Sequence, residues 1–174
     1  MSAWGSNLRR YKRTLILFYQ TNMTTLPIRP ATPHDAQTIA ALVDTAYSKW
    51  IAVIGRKPAP MLADYPALIE RGVVYVVEDD ARIVGVLVIW PVDAAMLIEN
   101  IATHPDDQGR GIGQQLLDFA EQKAREAGLS MVRLYTNEKF TANQDYYRKR
   151  GYLHTRLEIT PDGRRIVWMH KPLV

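Results

Sequence analysis

Three glycines at alternate positions, Gly109, Gly111 and Gly113, stand between an apolar run at Met96–Thr103 and a long amphipathic run ending near Ala127. The first run reads as a strand and the second as a helix, so the glycines fall where the helix begins. Unpaired N–H groups at a helix N-terminus, together with the helix dipole, favour anions. Glycines there let a phosphate approach the backbone with no Cβ in the way. A simple helix cap needs one glycine, and extra ones cost of order 1 kcal/mol each relative to alanine wherever they fall inside the helix. Two familiar glycine loops are excluded by the spacing. Gln114 stands where a dinucleotide fingerprint needs its third glycine, and no Gly-Lys-Ser/Thr follows, so this is not a nucleotide-triphosphate loop. The segment predicts an anion-binding junction of strand, loop and helix.

Around this junction the chain alternates element types. Leu26–Arg29 reads as a short strand, and Thr32-Pro33-His34-Asp35 as a helix start with Thr as N-cap, Pro at the first position and an acid at the third. Ile39, Leu42, Val43 and Ala46 share one face of the helix it opens. A proline-bounded loop, Gly55–Pro60, leads to a shorter helix ending near Gly72. Val73–Glu78 and Ile83–Trp90 are β-rich runs around a hairpin turn at Asp79–Arg82, and Met96–Thr103 follows them. The helix Gly111–Ala127 places Ile112, Leu116, Ala120, Ala124 and Ala127 on one face, with Gly128 as C-cap. Met131–Thr136 is a strand, Ala142–Arg150 a helix stopped at Gly151, and Tyr152–Ile159 with Arg165–His170 a final hairpin across Pro161-Asp162-Gly163. The order β-α-α-β-β-β-α-β-α-β-β implies an α/β (α+β) fold, a mixed central β-sheet flanked by helices.

Residues 23–174 read as one domain, since 174 residues suffice for a single core and no repeat or linker interrupts them. The net charge of +4 does not belong to that domain. Arg9, Arg10, Lys12 and Arg13 lie in the first 22 residues; subtracting them from the 22 basic residues leaves 18, equal to the 18 acidic ones. Met23–Val174 is therefore neutral, and no nucleic-acid face is implied. Residues 1–22 read as a disordered extension or the product of an upstream start codon, with a targeting or docking arm as the alternative. Their apolar run Thr14–Tyr19 is too short to span a membrane or form a signal-peptide core, so a cytoplasmic location is expected. The absence of cysteine excludes disulfides, thiolate metal sites and a cysteine nucleophile. His34, His104, His154 and His170 show no pair at ligand spacing, so no metal is expected.

The segment Gln108-Gly109-Arg110-Gly111-Ile112-Gly113 resembles the Q/R-x-x-G-x-G/A signature of the GNAT superfamily of acyl-CoA-dependent N-acyltransferases. Asn143-Gln144-Asp145-Tyr146-Tyr147, followed by Gly151-Tyr152, is similar to the second motif of that family, and the element order matches from Leu26 to Pro172. The resemblance implies acetyl-CoA as acyl donor, with no metal. By that resemblance, the loop from Gln108 and the backbone N–H groups of Gly109, Arg110, Gly111, Ile112, Gly113 and Gln114 would hold the CoA pyrophosphate. Ile101, Ala102 and Thr103 would pair through their backbone with the pantetheine arm, as an added strand does. Asn143 would bond the same arm, and Tyr147 would stand beside the thioester sulfur. Asn143 and Tyr147 are i and i+4 and share a helix face, whereas Tyr146 is expected to point into the core.

The implied chemistry asks for a base and an acid. An alkylammonium must lose a proton before it can attack a thioester, and the leaving thiolate benefits from a donor. Tyr147 can donate, its reference pKa near 10 lying above the roughly 8.5 of a thiol; packing against the cofactor is the alternative role. Glu99, alone among apolar neighbours in Met96–Ile101, is the candidate base, where some family members carry theirs; a structural, hydrogen-bonded acid is the alternative. Family members use their first two helices and the connection between them to bind the acceptor. Here that stretch supplies Tyr47, Trp50 and Tyr65 beside Arg56 and Lys57, residues that serve equally well as core of the connection. No acidic cluster accompanies them, which disfavours a polycationic acceptor. The expected partner is an amine, small molecule or peptide, attacked in a ternary complex. A catalytically silent acyl-CoA sensor stands as the alternative function, and monomer and homodimer both remain open.

Overall fold

Ile83–Ile89 contains no polar side chain, the pattern of a strand covered on both faces. In the computed structural model, which describes residues 25–173, this run forms the middle of strand β3 (Arg82–Val92), near the centre of a seven-stranded sheet. The other strands are β1 (Ile28–Pro30), β2 (Val74–Asp79), β4 (Ala95–Thr103), β5 (Met131–Asn137), β6 (Leu153–Ile159) and β7 (Arg165–Pro172). The helices are α1 (Ala36–Ile54), α2 (Tyr65–Glu70), α3 (Ile112–Glu126) and α4 (Thr141–Arg148), with 3-10 turns at Pro33–Asp35, Ala59–Leu62 and Pro105–Asp107. The strand order is β1-β2-β3-β4-β5-β7-β6. Only β4 and β5 run parallel; the remaining neighbours are antiparallel.

The element order is the one the sequence predicts, and the boundaries move for local reasons. β1 starts at Ile28 because the Leu26 backbone bonds the Gln115 side chain on α3. Gly111 has φ +81° and cannot be helical, so α3 begins one residue later. The helix expected at Ala142–Arg150 is shorter, Thr141–Arg148. Thr32 and Asp35 form the expected capping box, but over a 3-10 turn; the Asp35 carboxylate accepts from the Thr32 N–H at 2.7 Å and pairs with Arg29 at 2.8 Å. The N-terminal extension proposed for residues 1–22 lies outside the described residues.

Each face of the sheet carries its own core. On one, Ile39, Leu42 and Val43 of α1 and Ile69 of α2 meet Val74, Val76, Val86 and Val88. On the other, Ile112, Leu116, Leu117 and Ala120 of α3 and Tyr147 of α4 meet Val77, Val84, Leu87, Leu134 and Met169. Each large side chain buried this way contributes about 1.5–3 kcal/mol.

Two departures from regular pairing open the sheet. β4 pairs with β5 only from Ala95 to Ile98, against Met131 to Leu134. Beyond that, β4 continues along β3 to Thr103 and β5 along β7 to Asn137, so the two central strands part. On the other side of β4, Val88 pairs with Asn100 and Ile89 with Ile98, which leaves Glu99 as the extra residue of a bulge.

The fit of α3 on β3 depends on Gly85. A Cβ there would lie 2.9 Å from Ile112 Cγ2 and 3.2 Å from Val77 Cγ2. Gly85→Ala should therefore lower stability by about 1–3 kcal/mol through overpacking, measured by denaturant titration. An unchanged midpoint would show that α3 can lift from the sheet freely.

Candidate functional site

The glycine loop is built on a knot of charge. Asp107 is 2 % exposed; its carboxylate accepts from Arg82 at 3.0 Å and from Arg110. Burial alone would raise its pKa, but the bonds from Arg110 and Arg82 more than offset this and hold it below the usual carboxylate range. Arg110 reaches on to Asp79 at 2.8 Å, which turns its side chain away from the groove. Gly109 and Gly111 follow the knot with φ +82° and +81°, a region that glycine enters without strain. The first helical bond of α3 runs from the Gln115 N–H to the Gly111 carbonyl at 3.0 Å. The amides of Ile112, Gly113 and Gln114 precede it and have no intrahelical acceptor.

The amides of Ile112 and Gly113 border a groove with a volume of ≈ 430 Å³. Gln108, Gly109, Gly111, Ile112 and Gly113 line one side; Ile101, Ala102 and Thr103 line another, on the stretch of β4 that has left β5. Arg110 and Gln114 do not line it; the Gln114 side chain accepts from Arg150 at 3.2 Å. Tyr146 departs from expectation. It packs against the core but is only half-buried, and it also lies along the groove, its hydroxyl 2.9 Å from where a Cβ on Gly113 would stand. The Arg150 guanidinium covers its ring at 3.5 Å from the centroid. Arg150 escaped the sequence reading, although its place four residues after Tyr146 is the signal that could have found it.

A second, smaller cavity of ≈ 90 Å³ adjoins the groove and is lined by both β4 and β5. Glu99 lines it, and the Tyr135 hydroxyl donates to Glu99 Oε1 at 2.6 Å. Burial first, and the hydrogen bond to Glu99 second, push the Tyr135 pKa well up, so the hydroxyl keeps its proton. Tyr135 is a second residue that sequence patterning missed. Asn100 is buried beside it; its Nδ2 donates to the Tyr65 hydroxyl at 3.1 Å and its Oδ1 accepts from Tyr47 at 2.8 Å. The candidate acceptor residues thus separate. Tyr47 lines both spaces, whereas Tyr65 lines neither and braces the Ala59–Leu62 turn by donating to the Pro60 carbonyl at 2.9 Å. Trp50 faces the groove and stacks on Phe140 at 4.1 Å.

Four residues, Tyr47, Ile101, Asn143 and Tyr147, line both the groove and the cavity and so mark where the two meet. Tyr147 is 8 % exposed, and its hydroxyl makes no hydrogen bond among the described residues. Burial, then repulsion by Tyr146, pushes its pKa well up, so the hydroxyl keeps its proton at every physiological pH.

A mixed sheet that parts at its centre beside a glycine-opened helix is the fold of acyl-CoA N-acyltransferases. Residues 70–153 match the family model described as the acetyltransferase (GNAT) domain. It is 30% identical over 113 residues to an amino-acid acetyltransferase of Ralstonia nicotianae, covering 62% of this chain and 24% of that protein. It is 35% identical over 63 residues to an aminoalkylphosphonate N-acetyltransferase of Salmonella typhimurium, covering 36% of this chain and 41% of that one. The chain thus spans less than half the length of these curated relatives. Among solved structures, the PaiA N-acetyltransferase of Thermoplasma acidophilum in complex with coenzyme A superposes with a TM-score of 0.71 at 18% identity, over 85% of this chain and 99% of that one. A GCN5-related N-acetyltransferase from Rhodopseudomonas palustris does so with a TM-score of 0.71 at 22% identity, over 87% and 98%. No described helix is long and apolar enough to cross a membrane.

Asp107 organises the loop, so Asp107→Ala should cost about 1–3 kcal/mol, the worth of hydrogen bonds to a charged group. The sign of the pH dependence follows from its lowered pKa. Its contribution is present above the ordinary carboxylate value and is lost as pH falls through the folded one. Acid unfolding curves of wild type and variant should therefore converge at low pH; parallel curves would show that Asp107 is not the responsible group.

Proposed function

We propose that this chain transfers the acetyl group of acetyl-CoA to the nitrogen of an amine by direct attack in a ternary complex. The observation that carries the reading is the meeting of a glycine-lined groove with a carboxylate-lined cavity at Tyr147. The groove residues fit CoA chemically. Positive φ at Gly109 and Gly111 exposes backbone amides suited to a pyrophosphate. The edge of β4 from Ile101 to Thr103, free of β5, suits the amide-bearing pantetheine arm. Asn143 stands at the junction to bond that arm, and residues 25–173 act as one domain.

When bound, acetyl-CoA supplies a thioester; this chain supplies the proton transfers. Glu99 accepts the proton that the acceptor nitrogen releases as its bond to the carbonyl carbon forms, directly or through one water. Tyr147 gives its hydroxyl proton to the sulfur as the carbon–sulfur bond breaks and regains one from solvent, while Glu99 returns its proton to solvent. The products are an N-acetyl amide and CoA thiol. Tyr135, donating to Glu99, keeps one carboxylate oxygen occupied and leaves the other for the incoming proton. The two curated relatives are named for an amino acid and an aminoalkylphosphonate, both of them amines.

CoA should raise thermal stability by mass action, by about 2.7 kcal/mol at a hundredfold excess over its Kd. Gly111→Val, which forces a side chain into φ +81°, should abolish that shift; normal CoA binding by the variant would remove the loop from the site.

Tyr147→Phe keeps the ring and removes the hydroxyl. With chemistry limiting, kcat and kcat/KM should fall together by about 10²–10⁴-fold while CoA affinity by calorimetry changes little. Thiol release over a panel of amines tests the reading as a whole. Near-normal turnover by Tyr147→Phe would remove the acid, and CoA binding without turnover of any amine would make the chain a sensor.

A further inference from the structure

The charged side chains around the cavity are mostly cationic. Glu99 is the one acidic residue lining it, on the β4 bulge two residues from Ile101 at the junction. Three cations line it as well: Arg56 and Lys57 are exposed and Arg164 is half-buried, and together they form a solvent-facing rim. Arg56 and Lys57 follow the end of α1, and Arg164 follows the β6–β7 turn; the arginine side chains are 42% and 37% exposed. The arginines come from segments more than a hundred residues apart and converge on Asp162. Arg164 Nε lies 2.9 Å from one Asp162 oxygen, while Arg56 donates to the Asp162 carbonyl at 3.1 Å and stands 3.7 Å from the carboxylate. Lys57 has no ion-pair partner among the described residues. The rim thus sets three positive charges against one negative, with a single carboxylate inside.

A plain alkylamine has nothing to gain from that rim, and a polycation would be repelled by it. A molecule with an ammonium at one end and an anion at the other matches both poles. We propose that the rim formed by Arg56, Lys57 and Arg164 is an anion subsite, and that the acceptor is a small dipolar amine whose carboxylate or phosphonate docks there. The inference rests on the acetyltransferase reading and deepens it by naming the acceptor's second functional group. The cavity volume of ≈ 90 Å³ limits the part of the acceptor held inside to the size of a small metabolite. Guanidinium groups bind either anion through paired N–H donors. Asp162 preorganises the arginines while opposing the ligand's charge. Hydrogen bonds from Thr160 and Arg164 push its pKa down to about 2, so it stays ionised at working pH.

The test uses the full chain saturated with CoA or acetyl-CoA. α-Amino acids and 2-aminoethylphosphonate are each compared with a neutral counterpart, the carboxamide or the phosphonate diester. Binding is read by calorimetry and turnover by thiol release. The amine of an amino-acid amide is less basic than that of the parent acid, so chemistry alone favours the amide at neutral pH; preference for the acid is then due to binding. The expected result is that an anionic amine binds and its neutral counterpart binds at least tenfold more weakly. Arg164→Gln and Lys57→Gln should each raise Kd and KM for the anionic amine about 10-fold or more, as loss of a charge-assisted hydrogen bond does, with kcat and acetyl-CoA KM within twofold. Asp162→Asn separates the subsite from a mere tether between loops. The subsite predicts equal or tighter binding of the anion, because an opposing charge is gone, whereas a tether predicts weakening like that of Arg164→Gln.

Equal affinity for acid and amide, no binding of any anionic amine, or weakening in Asp162→Asn would overturn the subsite. Anion-dependent binding without thiol release would uphold the subsite and overturn the acetyltransferase reading, so the two failures are distinguishable.

Discussion

Beyond the Ile98–Leu134 pair, β4 and β5 no longer share hydrogen bonds, and the backbone groups on their facing edges need other partners. Continued one step in the same register, the pairing would set Glu99 opposite Tyr135. Those two residues join instead through their side chains, at 2.6 Å. The split is thus bridged at its apex by a hydrogen bond between a bulged carboxylate and a phenol, and it widens from there. The bulge turns Glu99 toward the cavity, and the freed edge of Ile101–Thr103 becomes one wall of the groove. Remove the split and both spaces close.

Two carboxylates organise arginines on the two sides of this opening, with opposite consequences. Asp107 is buried and draws Arg82 and Arg110 beneath the glycine loop. The groove is then left to backbone amides and to Lys49 and Arg150. Asp162 is half-exposed and holds Arg56 and Arg164 where both still line the cavity. The first arrangement stiffens a turn, since a buried carboxylate stripped of its partners would be costly. The second concentrates positive potential at a rim, because exposed pairs are weak enough to leave donors available.

Much of this was legible in the sequence because it rests on periodicity and backbone chemistry. The continuous apolar run of β3, the amphipathic face of α3 and the glycines at Gly109, Gly111 and Gly113 each have one structural solution, and the element order followed. Asn143 and Tyr147 share a helix face by spacing alone, and both reach the junction. What patterning could not give was anything set by register. The bulge at Glu99 depends on pairing between β3 and β4, and Tyr135 meets Glu99 only because of where β4 leaves β5. Tyr146 was expected in the core because it lies off the face shared by Asn143 and Tyr147; it does pack against that core, but Gly113 opens a place for its hydroxyl at the groove and Arg150 covers its ring. Tyr65 turned out to be a brace, since its partner Asn100 lies 35 residues away.

The shared walls at Tyr47, Ile101, Asn143 and Tyr147 carry a thermodynamic implication. Side chains that border two spaces cannot be ordered by an occupant of one without being ordered for the other. Tyr47 is tied through Asn100 to Tyr65, and Tyr147 packs against Tyr146 and Tyr152, so settling any of them fixes a connected set. Whichever occupant arrives first bears the ordering cost for both, and the second binds with that entropy already spent. Linkage makes the effect reciprocal: each occupant must raise the affinity of the other by the same factor. With donor and acceptor in the two spaces as proposed, their recognition would be a single cooperative equilibrium.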